Sequence, residues 1–218
     1  MPKGLTAKGH SETARLEAFS DGVLAIAITL LVLYLKVPTP SSTSLWSALW
    51  RQWPDYLSFL ISFVIIGIYW ANHHYMFNLI ARTNHWLNLL NTLFLLCIVF
   101  LPFPTDVLAA YIRVPGNQLN AVLFYVGTLL ACAISYNLTW RYAAYWGGLI
   151  DEHLDPEFIR AMTRRYDMGL MSYVVSFVVA YWSLRVSLFI DLAIAVMFFF
   201  PSPKPKYLRD EHRRAEMA

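Results

Sequence analysis

Long apolar runs separated by short polar segments dominate the chain. Four of them extend from Leu16 to Leu35, from about Tyr56 to Phe77, from about Trp86 to Phe103 and from about Leu119 to Tyr142. Each is close to the ~20 mainly apolar residues that an α-helix needs to cross the hydrocarbon core of a bilayer. The pattern therefore predicts four membrane-spanning helices in the first two thirds of the sequence.

A further apolar stretch, from Gly169 to Phe200, is 32 residues long and carries only Arg185 and Asp191 as charges. As one helix it would be ~48 Å long, which is too long for a single crossing. Two shorter spans that meet near Ser183–Arg185 fit it better. The predicted fold is therefore an all-α integral membrane protein with six transmembrane helices, over residues 16–200.

Local signals indicate where particular helices begin and end. Pro102 and Pro104 are expected to close the third span. The triplet Asp155-Pro156-Glu157 is typical of a helix start, and this helix is expected to run into the fifth span. In residues 44–53, helical spacing would place five apolar side chains on one face: Leu45, Trp46, Leu49, Trp50 and Trp53. This predicts a short interfacial amphipathic helix, with a tryptophan-rich loop at the same depth as the alternative.

The composition agrees with a membrane protein. Charged residues make up 14% of the chain, against about 25% in soluble proteins. Hydrophobic residues make up 58% and the mean hydropathy is +0.47. The small net charge of +3 and the absence of a basic, aromatic-rich run argue against a nucleic-acid partner. Cys97 and Cys132 lie in apolar runs and are expected to be buried thiols, and no cofactor is expected.

Basic residues predict the orientation. With six spans both termini share one side, and thirteen of the 17 Lys and Arg residues fall there. They are Lys3, Lys8, Arg15, Arg82, Arg141, Arg160, Arg164, Arg165, Lys204, Lys206, Arg209, Arg213 and Arg214. The other side holds Lys36, Arg51, Arg113 and Arg185. The positive-inside rule then makes residues 1–15 and 201–218 cytoplasmic tails, in the cell membrane.

Polar residues at membrane depth are energetically costly, so each is expected to have a structural or functional role. Asp21 lies near the cytoplasmic end of the first span, either as a partly hydrated acid or as a buried acid with a partner. The second span ends at the same depth with the sequence Trp70-Ala71-Asn72-His73-His74. Depth matching suggests that Asp21 accepts hydrogen bonds from His73 or Arg15. The two adjacent histidines point to different faces of a helix, so no structural metal site is expected.

Helical spacing separates two faces of the first span. At 100° per residue, Gly22, Leu30, Leu33 and Val37 fall within about 40° of Ile26. Thr29 lies about 60° to one side, and Asp21 lies about 140° away. The Ile26 ridge is therefore a different surface from the Asp21 face. Spacing alone leaves open whether the ridge faces lipid, the core or a functional surface.

Three motifs carry a resemblance to a known family. Arg15 is followed by Phe19-Ser20-Asp21-Gly22-Val23 and then by the Ile/Thr/Leu-rich stretch 26–31, and the second span contains Trp70-x-x-His73-x-x-x-Phe77. In these motifs and in its layout the chain resembles the bacterial members of the transmembrane protein 175 potassium-channel family. The resemblance implies a homotetramer in which the first helices of four subunits line a central pore.

The resemblance also implies roles for individual residues. Ile26, Leu30 and Leu33 would line the pore, with Ile26 as the narrowest ring, and Thr29 matches a threonine implicated in ion preference. A polar network behind the pore would involve Arg15, Phe19, Ser20, Asp21, Trp70 and His73.

The expected function is that of a channel for K⁺ and other monovalent cations, embedded in the lipid bilayer. The chain lacks a Thr-Val-Gly-Tyr-Gly loop, so hydrophobic rings rather than a carbonyl filter would give a modest preference for K⁺ over Na⁺. No enzymatic motif is present. The alternative is a proton-coupled secondary transporter that uses Asp21 and His73 as a proton relay.

Overall fold

The computed structural model describes residues 7–39 and 44–208, with side chains from Glu12 onward. These residues form eight α-helices. They are α1 (Ala7–Leu30), α2 (Leu45–Arg51), α3 (Trp53–Phe77), α4 (His85–Phe100), α5 (Pro102–Tyr111), α6 (Gln118–Arg141), α7 (Pro156–Val179) and α8 (Leu184–Phe199). A 3-10 turn, Leu31–Tyr34, extends α1, and a π-helical turn, Tyr142–Trp146, extends α6.

Four helical segments are long and apolar enough to cross a membrane. They are Glu12–Tyr34, Trp53–Phe77, His85–Tyr111 and Gln118–Trp146. They coincide with the first four apolar runs, so the all-α membrane fold and these four predicted helices are confirmed. The helices α7 and α8 occupy the last apolar stretch, but α7 begins with polar turns and α8 has only 16 residues. A total of six spans therefore stays a prediction.

Several helix boundaries follow the capping signals. The Asp155 carboxylate accepts a hydrogen bond from the Glu157 backbone N–H at 2.7 Å, which confirms the predicted start of α7. The short helix in the tryptophan-rich segment is also confirmed, and the Ser44 hydroxyl caps it. Between α7 and α8 the helix breaks at residues 180–183, close to the predicted boundary, and Ser183 caps α8.

The prediction that Pro102 and Pro104 close the third span is right for α4 but wrong for the membrane-length segment, which continues to Tyr111. The helix α4 ends at Phe100, but the chain resumes helical structure at once as α5. Proline is tolerated in the first turn of a helix, where its missing N–H has no intrahelical partner in any case. The Thr105 N–H and hydroxyl both donate to the Leu101 carbonyl, which ties the new helix to the old one. The prolines therefore produce a break between two helices.

The polar connections gather at one end of the helix bundle. The backbone of residues 79–82 pairs with residues 149–151, and residues 153–155 pair with residues 206–208. The predicted cytoplasmic tails, residues 1–15 and 201–218, fall partly outside the described residues, which include neither 1–6 nor 209–218. The C-terminal residues 206–208 nevertheless lie beside the α6–α7 loop.

The core lies among α3, α4, α6 and α7. Trp140, Phe77 and Phe94 are among the largest fully buried side chains, and Cys132 is a buried free thiol. The helix α1 packs on the edge of this core, against α3 and α4. One side of α1 is therefore supported by the rest of the chain, while the opposite side has no neighbour among the described residues.

Candidate functional site

The buried side of α1 is a stripe at helical spacing. Ser20, Leu24, Ala27 and Leu31 follow one another at intervals of four, three and four residues, and all four are buried. Such a stripe is what a helix presents to a core on one side only. It packs on α3 and α4, which fixes the rotation of α1 about its axis.

The opposite side of α1 is an exposed ridge, formed by Ile26, Thr29, Leu30 and Leu33. The relative exposures of Ile26, Leu30 and Leu33 are 58%, 48% and 73%. The Thr29 hydroxyl, also on this side, donates to the Ile26 carbonyl at 3.0 Å. Three large apolar side chains that stand free in one subunit form a surface that lipid or another protein chain must cover.

A buried hydrogen-bonded chain ties α1 to both neighbouring helices. The Asn91 side chain on α4 bonds the His73 ring of α3 through Oδ1, with His73 Nε2 at 2.8 Å. Its Nδ2 donates to Ser20 Oγ of α1 at 2.8 Å, and the Ser20 hydroxyl donates to the Leu16 carbonyl. All three side chains are buried. This serine–asparagine–histidine chain is a polar contact among three helices inside an apolar bundle.

The direction of these bonds defines which ring nitrogen of His73 carries the hydrogen. Because the Asn91 amide donates to Ser20, its oxygen faces the His73 ring, and Nε2 must carry the hydrogen. The other ring nitrogen, Nδ1, is buried and has no hydrogen-bond partner in the described part of the chain. The ring stacks on Phe77 and Phe94, with centroid distances of 4.2 and 5.5 Å.

A second set of contacts joins α1 directly to α3. The Trp70 indole N–H donates to Asp21 Oδ1 at 3.0 Å, so Trp70 takes the place that depth matching gave to His73 or Arg15. One turn away, Glu17 Oε1 and His74 Nδ1 are 2.7 Å apart. Trp70 and His74 lie on the same face of α3 and stack on each other. The polar residues of α1 thus contact α3 directly at two points, and Ser20 is linked to His73 of α3 through Asn91.

Other predicted residues lie apart from these contacts. Arg15 and Phe19 are exposed and line a groove between α1 and the start of α4. Within the described residues Arg15 has no hydrogen bond or ion pair. Asn72, next to His73 in sequence, points elsewhere and donates to the Phe198 carbonyl of α8. No group of three or more His, Cys, Asp or Glu side chains in residues 7–39 and 44–208 is arranged to hold a metal ion.

Sequence reasoning missed Asn91, the residue that connects the two predicted motifs. A signal was available, because Asn91 is an amide in the middle of an apolar run long enough to cross a membrane, and such residues face the protein interior. Glu17 was also missed, although it lies one turn before Asp21. Neither residue belongs to the motifs that drew attention to α1 and α3.

Comparisons with known proteins show what the chain is similar to. The family described as "Endosomal/lysosomal potassium channel TMEM175" matches residues 15–102, which extend from α1 to the start of α5. A potassium channel of Chamaesiphon minutus is 42% identical over 87% of this chain and 94% of its own length. A potassium channel of Streptomyces collinus is 37% identical over 87% of this chain and 93% of its own length.

A solved structure gives the same result. The crystal structure of a lysosomal potassium-selective channel TMEM175 homologue from Chamaesiphon minutus superposes with a TM-score of 0.76 at 41% identity. The superposition covers 86% of this chain and 96% of that chain. The two faces of α1, its polar contacts to α3 and α4, and these similarities lead to one conclusion: the chain belongs to the TMEM175 family of ion channels and is not an enzyme.

Proposed function

We propose that the chain forms a K⁺-permeable channel as a homotetramer, in which α1 of each subunit lines a central pore. The observation that carries the proposal is the ridge of Ile26, Leu30 and Leu33, which stands free in one subunit while the other side of α1 is held in place. A single α1 cannot enclose a pore, so several copies of the ridge must face one another. The relatives in Chamaesiphon and Streptomyces are both named potassium channels.

On this proposal, α7 and α8 complete six spans and both tails are cytoplasmic, in the plasma membrane. The gathering of the polar loops at one end supports it, as does the concentration of basic residues in them. Arg82, Arg160 and Lys206 belong to these connections or to the helix turns beside them. Arg113, in contrast, lies in the connection between α5 and α6.

Selectivity would come from dehydration. An apolar ring narrower than a hydrated ion forces the ion to shed water and offers no ligand in return, and such a ring can also gate by dewetting. K⁺ holds its water less tightly than Na⁺, so partial dehydration in the ring costs K⁺ less free energy. Thr29 lies beside Ile26 and already donates its hydroxyl hydrogen to the Ile26 carbonyl. Its oxygen lone pairs would face the conduction path.

The polar residues behind the ridge would hold α1 at a fixed depth and rotation. Ser20 and Asp21 are bonded to α4 and α3. On α3, Trp70 bonds Asp21 directly, and His73 is linked to Ser20 through Asn91. Arg15 and Phe19, which are exposed in one subunit, would contact the neighbouring subunit or the cytoplasmic entrance.

The test is a liposome flux assay with K⁺ or Na⁺ as the only permeant cation. Ile26→Ala and Ile26→Asn are expected to raise the flux of both ions and to lower the K⁺/Na⁺ flux ratio, because both widen or wet the ring. The matched control is Ile134→Ala, since Ile134 is also an exposed isoleucine but lies on α6. If both Ile26 variants conduct and select as the wild type does, Ile26 does not form the constriction.

The alternative, a proton-coupled transporter, has less support. A relay between Asp21 and His73 needs a hydrogen-bonded path, yet Asp21 is bonded to Trp70, and His73 Nδ1 has no partner among the described residues. Flux of K⁺ down its own gradient, with no pH difference and with a protonophore present, would favour the channel. Flux that requires a proton gradient would favour the transporter.

A further inference from the structure

A groove on the side of the helix bundle is separate from the α1 ridge. It lies between α3, α5 and α8 and has a volume of about 480 Å³. Its walls are mainly apolar, and on α3 they include Trp53, Leu57, Ile61 and Ile65 at intervals of four residues. Such spacing keeps the four side chains on one face of α3, so the groove runs along the helix axis.

The length of the groove matches one leaflet of a bilayer. Residues 53–65 of α3 extend over ~18 Å, and half of the hydrocarbon core of a bilayer is ~15 Å thick. A partner helix that crosses the membrane would need a groove over the full ~30 Å. A lipid acyl chain ends near the middle of the bilayer and therefore fits this length better.

One end of the groove lies at the depth of the lipid headgroups. The helix α2, which precedes α3 and contacts it, carries the exposed side chains Trp46 and Trp50. Tryptophan is enriched at the membrane–water interface. Trp53 forms the rim of the groove, and the Arg113 guanidinium lies over its ring at 4.4 Å from the centroid. The apolar groove thus ends at a positive charge at the level of lipid phosphates.

Arg113 is the charge that this groove presents to a ligand. Asp191 also lines the groove, but both of its carboxylate oxygens are buried within the protein. Asp55 and Asp106 do not line the groove, and Asp106 accepts a hydrogen bond from the Ser58 hydroxyl at 2.6 Å. Arg113 is exposed and has no hydrogen bond or ion pair within the described part of the chain. A guanidinium that stacks on an indole keeps its N–H groups available for phosphate oxygens.

We propose that this groove binds an anionic phospholipid, with one acyl chain along α3 and α5 and the phosphate at Arg113. The walls match a hydrocarbon chain, the length matches one leaflet, and the exposed guanidinium matches a lipid phosphate. A zwitterionic lipid would bring a second, positive group to the rim, where Arg113 repels it. The site lies apart from α1, so the proposal is independent of how the chain conducts ions.

Lipid titration followed by native mass spectrometry tests the proposal. Purified, delipidated full-length protein is titrated in detergent with dioleoyl phosphatidylglycerol or dioleoyl phosphatidylcholine, which differ only in the headgroup. The anionic lipid is expected to bind saturably and about fivefold tighter than the zwitterionic one. Millimolar glycerol phosphate, which carries the phosphate without acyl chains, should not displace it. Equal affinities for the two lipids, or displacement by glycerol phosphate, would overturn the proposal.

Two pairs of variants localise the site. Arg113→Gln is expected to remove the preference for the anionic lipid, whereas Arg185→Gln should keep it, because Arg185 is exposed and does not line the groove. Ala109→Phe fills the groove from α5 without changing a charge and should abolish saturable binding of the anionic lipid. Ala110→Phe should leave this binding unchanged, since Ala110 is exposed on the same helix and lies outside the groove.

The variants also distinguish a lipid from another occupant. An unchanged lipid preference in Arg113→Gln would contradict the proposal even if Ala109→Phe did not fold. The same spectra report the number of subunits in the complex. If Ala109→Phe lowers that number and leaves lipid binding unchanged, the groove is an interface between copies of the chain. Lipid binding that survives Ala109→Phe in an intact complex would show that the lipid binds elsewhere.

Discussion

Asn91 offers the sharpest test of how α1 is held. Its side chain contacts a residue on each of two other helices, with both hydrogen bonds at 2.8 Å and all partners buried. Replacing Asn91 with alanine removes both bonds and leaves the surrounding apolar contacts of α4 in place. The expected result is a less stable subunit in which α1 is less firmly attached.

The magnitude follows from what each partner loses. Ser20 keeps its bond to the Leu16 carbonyl, so its loss is small. His73 loses its only described hydrogen bond, because Nδ1 has no partner. A buried group left unpaired costs about 1–3 kcal/mol, whereas polar contacts between membrane helices average ~0.6 kcal/mol. We therefore expect Asn91→Ala to destabilise the protein by about 2 kcal/mol.

Thermal unfolding in detergent measures this effect. A loss of about 2 kcal/mol corresponds to a fall in Tm of about 4–8 °C for a chain of this size. Protein and detergent concentrations are kept constant, because the stability of an oligomer depends on them. The matched control is Asn88→Ala, since Asn88 is exposed on the same helix, and its Tm should stay within about 1 °C of the wild type.

Two outcomes would refute this reasoning. If Asn91→Ala melts at the wild-type temperature, the buried chain contributes nothing to stability. If Asn88→Ala lowers the Tm equally, the loss reflects a general effect of substitution in α4 and not the bonds to His73 and Ser20.

Two further substitutions test contacts of the same bundle. Gly169→Ala would place a Cβ 2.7 Å from the Phe198 ring; it should separate α7 from α8 and lower stability by about 1–3 kcal/mol. The control Gly67→Ala meets nothing within 4 Å and should be neutral or stabilising, by the same melting assay. Trp70→Phe removes the donor to Asp21 and should cost about 1 kcal/mol, with an unchanged K⁺/Na⁺ flux ratio, because Asp21 lies away from the ridge.

Periodicity separated the Ile26 ridge of α1 from its Asp21 face, but it left open which side of the helix is buried. The buried residues Leu24, Ala27 and Leu31 and the exposed residue Ile26 occur where a 3.6-residue repeat puts them, because both faces are apolar but only one has a neighbour. The helix starts at Leu45 and Pro156 were also predictable, since a cap is a local interaction between residues two or three positions apart.

Contacts between distant residues were not predictable in the same way. Depth matching brought Asp21 to the correct end of α3, but the choice of Trp70 over His73 depends on the rotation of α3, which its packing on α1, α5 and α8 determines. Pro102 was misjudged because a proline breaks an existing helix and begins a new one equally well. Only tertiary contacts decide whether the new helix forms.

The division of α1 into two faces links packing to the proposed conduction. In the proposed ring of four helices the width at Ile26 would depend on the rotation of each helix, and a shift of one position in sequence would turn the ridge by about 100°. Apolar packing alone tolerates such slippage, because leucine and isoleucine on either face are nearly equivalent. The hydrogen bond from Asn91 to Ser20 does not tolerate this slippage, since a rotated α1 would leave the buried Asn91 amide unpaired. Variants of the buried face are therefore expected to lower the stability of the assembled ring and to increase leakage of both ions, whereas variants of Ile26 change the flux ratio with little loss of stability.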